Sequence, residues 1–342
     1  MAYTTINKSS DYFKTVTYTG NGAARTITVG MQPDLVFTKS RDAAHHGIFT
    51  DAVTGAGKRF TASSNSAQDT TGASVASFVS TGYTLTDNST INGNNEKGVS
   101  WNWKMGGTGS TNNDGSVAST VSVNTTAGHS IVKWTAAGAA TVGHGLGAVP
   151  KAMLTFRVGG SQDRFVYHVA TGNDHYMRLN QNTAKTDDAQ AWQDTTPTSS
   201  VFTVGTQFDG SDYVAHCFAE KTGYSKFGLY YGNSDNNGPF VYCGFKPSMI
   251  MIKETGSTSE WFVIDSQRSS KTTGGNTLDR FLRPSTSDAE TDSAWHKIDF
   301  LSNGFKIQDD DADINDASYN YLYMAFAEAP LVGSNNIPCT AR

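Results

Sequence analysis

Cysteine is scarce in this chain: Cys217, Cys243 and Cys339 make an odd count, and none stands in a CxxC pair. That excludes a disulfide framework and a thiolate zinc site, and it predicts synthesis in a reducing cytosol. Charge of one sign is missing too. The 26 Lys and Arg and 31 Asp and Glu give a net charge of −5 with no basic stripe, so no direct nucleic-acid partner is expected. No window approaches ~18 consecutive apolar residues, and the opening MAYTTINKSSDYF has neither a basic n-region nor an apolar h-region. Neither membrane insertion nor Sec export is expected. Leucine and Glu/Lys runs are few, which leaves little material for helices.

What the chain does have is 34 Gly, 18 Phe, 14 Tyr and 6 Trp among many Ser, Thr and Asn. Val, Thr, Tyr and Phe suit a pleated, half-buried surface, so the composition is that of an all-β protein. The most informative stretch is Tyr319–Glu328, where Tyr321, Tyr323 and Ala325 alternate with Leu322, Met324 and Phe326. A period of two with apolar groups on both faces predicts a central strand covered on both sides. Weaker copies stand at 212–220 (DYVAHCFAE) and 98–104 (GVSWNWK). Each copy follows a glycine turn, a proline and an apolar strand, with prolines Pro33, Pro150 and Pro247. From each proline to the matching aromatic, Trp103, Phe218 or Phe326, the distance is about 70 to 80 residues. Each block also opens on a strand and turn: TVTYTGNG from Thr15, SIVKWTAAG from Ser130 and FGLYYGNSDNNG from Phe227.

These echoes predict a triplication with a unit of roughly a hundred residues, the size of a small domain. The expected fold is three tandem β-sandwich, jelly-roll-like units with long polar loops. Their expected bounds are a lead-in over 1–14, β units over 15–106, 129–222 and 223–329, a linker over 107–128 and a tail over 330–342. The second unit carries a polar excursion, Thr171–Ser200, and the third another, Ser266–Asp292.

Catalytic constellations are thin. No HExxH and no GxSxG occurs, and GAGKR at 55–59 fails the phosphate-loop pattern because position 52 is Ala and position 59 is Arg. No enzyme is expected, and no cofactor. His216, inside a closing strand, reads as a core or interface residue. The acidic run containing Asp309, Asp311 and Asp313 has the hard oxygens that Ca²⁺ would need, but an EF-hand loop started at Asp311 puts Asp316 at the glycine position and Leu322 at the bidentate Glu. A solvated hairpin loop is the expectation, with these three residues the weak candidates for a metal. Loop aromatics offer ring faces to a sugar or a partner at small entropic cost. His175, Tyr176 and Trp192, in the second unit's excursion, are therefore the candidates for a binding surface, against the favoured reading that they pin the loop to its own sheet.

At Tyr18, Gly20, Asn21 and Gly22, at Pro33 and Asp34, at Trp101 through Lys104 and at Phe218 through Glu220, the chain resembles a family of structural proteins of marine tailed bacteriophages. That family repeats Tyr-x-Gly-Asn-Gly, Gly-x-x-Pro-Asp, Trp-Asn-Trp-Lys and Phe-Ala-Glu segments in tandem, and the resemblance covers nearly the whole chain. This sequence departs from it at Cys339 and in the second block, where GGSQD replaces an Asn-Arg-Asp turn. The resemblance implies a virion protein assembled in the host cytoplasm, with other virion proteins as partners, a homo-oligomer such as a trimer or ring, and host surface glycan as a ligand. The expected role is a tail-fibre or tail-tip component or adaptor in host-surface recognition. The alternatives are a capsid-decorating protein and a glycan depolymerase. The first is favoured by the lack of heptads or short β-helix repeats that would build a shaft.

Overall fold

The computed structural model describes residues 3–72, 75–268, 277–292 and 296–333. Alternating apolar and polar residues broken by Gly, Asn and Ser clusters make short antiparallel strands, and the chain is almost entirely β. In chain order the first unit comprises β1 (Phe13–Thr19), β2 (Arg25–Thr28), β3 (Leu35–Ser40), β4 (Ile48–Asp51), β5 (Phe60–Thr61), β6 (Val75–Val79), β7 (Gly82–Leu85), the single turn α1 (Ser89–Asn92) and β8 (Lys97–Trp103). The second comprises β9 (Ser110–Asn112), β10 (Ser119–Asn124), β11 (His129–Thr135), β12 (Ala140–Gly143), β13 (Pro150–Arg157), β14 (Phe165–His168), β15 (His175–Arg178), β16 (Thr186–Asp187), α2 (Ala189–Trp192), β17 (Val201–Val204) and β18 (Asp212–Ala219). The third comprises β19 (Ser225–Tyr231), β20 (Phe240–Tyr242), β21 (Phe245–Glu254), β22 (Trp261–Asp265), β23 (Thr277–Leu278), β24 (Arg280–Phe281), β25 (Thr291–Asp292), β26 (Ile298–Leu301), β27 (Gly304–Ile307), α3 (Ala312–Asn315) and β28 (Asn320–Pro330).

One strand order recurs three times. The large sheets run β1-β8-β3-β4, β11-β18-β13-β14 and β19-β28-β21-β22, each placing the closing strand between the opening strand and the strand after the glycine turn. The register recurs as well. Trp103, Phe218 and Phe326 pair with Phe13, His129 and Ser225 on one side and with Leu35, Ala152 and Met249 on the other. Small sheets cover one face of each large sheet: β2-β7-β6, β12-β17 and β20-β27-β26-β23. The all-β sandwich architecture expected from composition is the architecture of the chain.

The stretch 107–128, expected as a linker, holds β9 and β10, and β10 adds to the edge of the second large sheet through Val121↔Val132. The pairing is made by backbone, so a Ser/Thr-rich segment can join an edge with only Val121 and a few small side chains buried. The excursion Thr171–Ser200 likewise extends that sheet, through β15 and β16.

Local motifs have structural causes. In the Tyr-x-Gly-Asn turns, Tyr18 and Tyr230 donate their hydroxyls to the carbonyls of Ile91 and Ile314, both at 2.8 Å. The side-chain oxygens of Asn92 and Asn315, the buried last residues of α1 and α3, accept from the backbone N–H of Asn21 and Asn233 at 3.3 and 2.9 Å. A Cβ on Gly20 or Gly232 would lie 2.2 or 2.1 Å from the carbonyl oxygen of Gly93 or Asp316, so only glycine lets the backbones meet. The three glycines before Pro33, Pro150 and Pro247 (Gly30, Gly147 and Gly244) have φ of +96°, +65° and +78°.

The cores explain how the units join. Ile27, Val36, Tyr83 and Leu85 fill the first sandwich, and Trp134, Met153, Phe202 and Phe208 fill the second. A third apolar cluster runs through all three units, from Phe13, Phe37 and Trp101 through Phe156, Leu154 and Phe218 to Met251, Tyr321 and Phe326. The outer faces of the large sheets are therefore packed on one another. At the centre the three equivalent rings meet: Trp103 to Phe218 at 6.0 Å, Trp103 to Phe326 at 5.6 Å and Phe218 to Phe326 at 5.6 Å between centroids. The tilts of 56° to 74° suit the quadrupoles of aromatic pairs.

Candidate functional site

The candidate binding residues of the polar excursion do not form a surface, and the loop-anchoring reading describes them. Tyr176 and Trp192 are buried, 3% and 1% exposed. Tyr176 packs on Phe165 at 4.5 Å between centroids, lies under the Arg178 guanidinium at 4.8 Å and accepts a hydrogen bond from Arg178 Nη2 at 2.6 Å. Trp192 packs on Tyr167 at 5.9 Å and Phe208 at 5.6 Å. Both rings hold the polar excursion to its own sandwich, because a long Ser/Thr/Asp segment needs a few large anchors to offset its ordering entropy. His175 is half-buried, with Nδ1 2.7 Å from Asp174 Oδ1, and it pulls the Asp174 carboxyl below the usual range.

The acidic run divides. Asp309 is buried, and its Oδ1 accepts from Asp311 N at 3.0 Å, a turn-forming role. Asp311 caps α3 through Asp313 N at 2.9 Å, and Asp313 Oδ1 accepts from Ser259 Oγ at 3.1 Å. The structure adds a residue that sequence reasoning missed. His296 Nε2 stands 3.3 Å from Asp311 Oδ1 and 3.5 Å from Asp313 Oδ2. His296 is 6% exposed, its backbone has φ +65°, and its imidazole packs between Phe262 and Phe281 at 4.9 and 4.6 Å. The imidazole beside it, opposed by partial burial and aided by the Ser259 hydroxyl, holds the Asp313 carboxyl below its ordinary range. One imidazole nitrogen and two carboxylates are thus brought together, and no short-range spacing signals the group.

The junctions between units carry further buried polar contacts, and they too are cyclic. Trp101 Nε1, on the first closing strand, donates to Asp265 Oδ2 of the third unit at 3.0 Å. His216 Nε2, on the second, lies 3.4 Å from Asp51 Oδ2 of the first. The third closing strand offers its Tyr323 carbonyl to His168 Nε2 of the second at 3.1 Å. Asp51, His168 and Asp265 occupy equivalent ends of β4, β14 and β22, paired with Leu35, Ala152 and Met249. Each also stops its strand by accepting backbone N–H groups: Val53 and Thr54 at Asp51, Ala170 at His168, Gln267 and Arg268 at Asp265.

His168 Nδ1 accepts from Ala170 N, so Nε2 carries the hydrogen of a neutral ring. Burial depresses His168 to about 4 and His129, which packs on Phe218 and Phe326, to about 3. Across the junction of units one and three, Glu290 takes both Arg41 Nε and Nη2 at 2.8 and 2.7 Å and Arg268 Nη1 at 2.9 Å. Burial works to raise the Glu290 carboxyl, and the two guanidiniums outweigh it and hold it low. Cys217 and Cys243 are free and buried; burial pushes the Cys217 thiol up to about 12 and raises that of Cys243, while Cys339 lies outside the described residues.

Among the described residues no helix is long and apolar enough to cross a membrane. No curated protein and no solved structure matches the chain. One family model does, over residues 8–330, and the chain belongs to that family, described as a domain of unknown function, DUF7483.

Proposed function

We propose that this chain is a non-enzymatic architectural component of a tailed-phage particle, a compact tip or adaptor of the tail apparatus that meets the host surface. The observation that carries the reading is the closure of three like sandwiches around Trp103, Phe218 and Phe326. Such a block presents three similar faces about one centre from a single polypeptide, and it can cap a threefold assembly without a shaft of its own. The phage-like repeat segments support the same reading, because their Tyr-x-Gly-Asn and Gly-x-x-Pro elements build the three-unit scaffold. Its partners are other virion proteins.

The same closure favours one second reading, a capsid-decorating protein seated where three capsomers meet. Gold-conjugated antibody against the chain, imaged on intact virions, separates the two. Gold confined to the tail supports the tip or adaptor; gold over the head replaces it with decoration. Particles without gold, or new reducing ends released from host polysaccharide by the pure protein, overturn both.

A further inference from the structure

We propose that His296, Asp311 and Asp313 form a binding site for a divalent transition-type cation, Zn²⁺ in chemical class, clasping the segment before β26 to the turn that leads into β28. The imidazole nitrogen already stands at ligand spacing from both carboxylates. Two ligands about 2.0 to 2.2 Å from a tetrahedral ion are about 3.3 to 3.6 Å apart, and His296 Nε2 lies 3.3 and 3.5 Å from its two carboxylate oxygens. Donors from all three residues lie within 4.8 Å of one another.

The second observation is the ring itself. His296 is 6% exposed, and neither of its nitrogens has a hydrogen-bond partner. A buried imidazole with no such bond, aimed at two carboxylates, costs free energy unless something joins them. Its aromatic walls, Phe262 and Phe281, fix the ring plane. Ser259 holds the other oxygen of Asp313, and the Asp311 oxygen that faces the ring also accepts Asp313 N, so both carboxylates are oriented from behind. Imidazole with two carboxylates selects against Ca²⁺, which takes six to eight oxygens, and leaves a fourth position for water. The carboxylates are 28% and 43% exposed, so an ion can reach them from solvent.

The test is titration of chelator-treated full-length protein with Zn²⁺ by calorimetry, repeated with Co²⁺ by visible absorption and with Ca²⁺. The expected result is one Zn²⁺ per chain, a d–d band with Co²⁺, a rise in Tm with Zn²⁺ and no response to Ca²⁺. His296→Asn and Asp313→Asn, with β-sheet circular dichroism retained, should each weaken Zn²⁺ at least ~10-fold, while His46→Ala leaves it unchanged. Absence of a Zn²⁺ site in the unaltered chain overturns the proposal whatever the variants do. So does equal affinity in His296→Asn. A cluster that responds only to pH, with Tm rising on acidification and indifferent to metal, is an ion pair and also overturns it.

Discussion

At the residue scale, the buried polar groups set how the molecule responds to its medium. His129 and His168 are held neutral by burial, with folded values of about 3 and about 4 against an ordinary 6.5. The unfolded chain binds their protons first, so their contribution is complete above pH 6.5 and is lost as pH falls toward 4 for His168 and toward 3 for His129, by up to about 1.4 kcal/mol per pH unit for each ring. The urea midpoint should therefore begin to drop below pH 6.5, before the carboxylates titrate. His168→Asn should lower stability at pH 7.5 and flatten the slope between pH 6.5 and 4.5. An unchanged slope would mean that His168 does not fold as the neutral ring. Trp101 offers a separate test, because Asp265 loses one of its buried donors in Trp101→Phe but keeps Arg268 Nε at 2.6 Å. The expected cost is about 1 to 3 kcal/mol, read as a shift of the urea midpoint without a change in slope.

At the scale of elements, the short turns α1 and α3 matter more than their length suggests. The Asn92 amide nitrogen donates to Ala23 and Thr86 carbonyls, both at 2.7 Å, and that of Asn315 donates to Asp235 and Asp309 carbonyls at 2.9 and 2.8 Å. Each side chain ties the opening turn of its unit to the approach of its closing strand. Asn92→Ala or Asn315→Ala leaves several part-buried or buried backbone groups without their partner, and either should cost about 1 to 3 kcal/mol, measurable by urea unfolding. Gly232→Ala should cost at least ~2 kcal/mol, since the added carbon would overlap the Asp316 carbonyl and backbone must shift. A loss below ~0.5 kcal/mol, the range of an ordinary surface substitution, would show that the turn is slack.

Elements also show what was readable beforehand. The third closing strand was legible because burial on both faces leaves an unbroken apolar run from Tyr321 to Ala327, and the other two because the aromatics matched by repeat spacing are the ones that meet at the centre. The strands of 107–128 were not, since an edge strand pairs through backbone and Ser119, Val121 and Ser122 alone are buried in β10. Tyr176 and Trp192 could be read two ways for a related reason. A lone aromatic in a polar stretch looks alike whether it anchors the loop or faces a partner, and packing on Phe165 and Phe208 decides it. His296 had no local signature, because its carboxylates arrive from another loop.

At the scale of the whole molecule, the sandwiches are not beads on a string. The large sheets are covered on both faces, by their own small sheets and by each other, and buried polar contacts close the ring from unit to unit. A body joined in this way should unfold cooperatively despite its length. The most direct test removes one of the three central rings. Phe218→Ala deletes a side chain that is 1% exposed and touches Trp103, Phe326 and His129, at an expected cost of about 3 to 5 kcal/mol. Hydrogen exchange followed by mass spectrometry would locate the damage. The shared core predicts faster exchange in β8 and β28 as well as in β18, with all three closing strands losing protection together. Loss confined to residues 129–222, with β8 and β28 as slow as in the unaltered chain, would contradict it and leave three independent sandwiches.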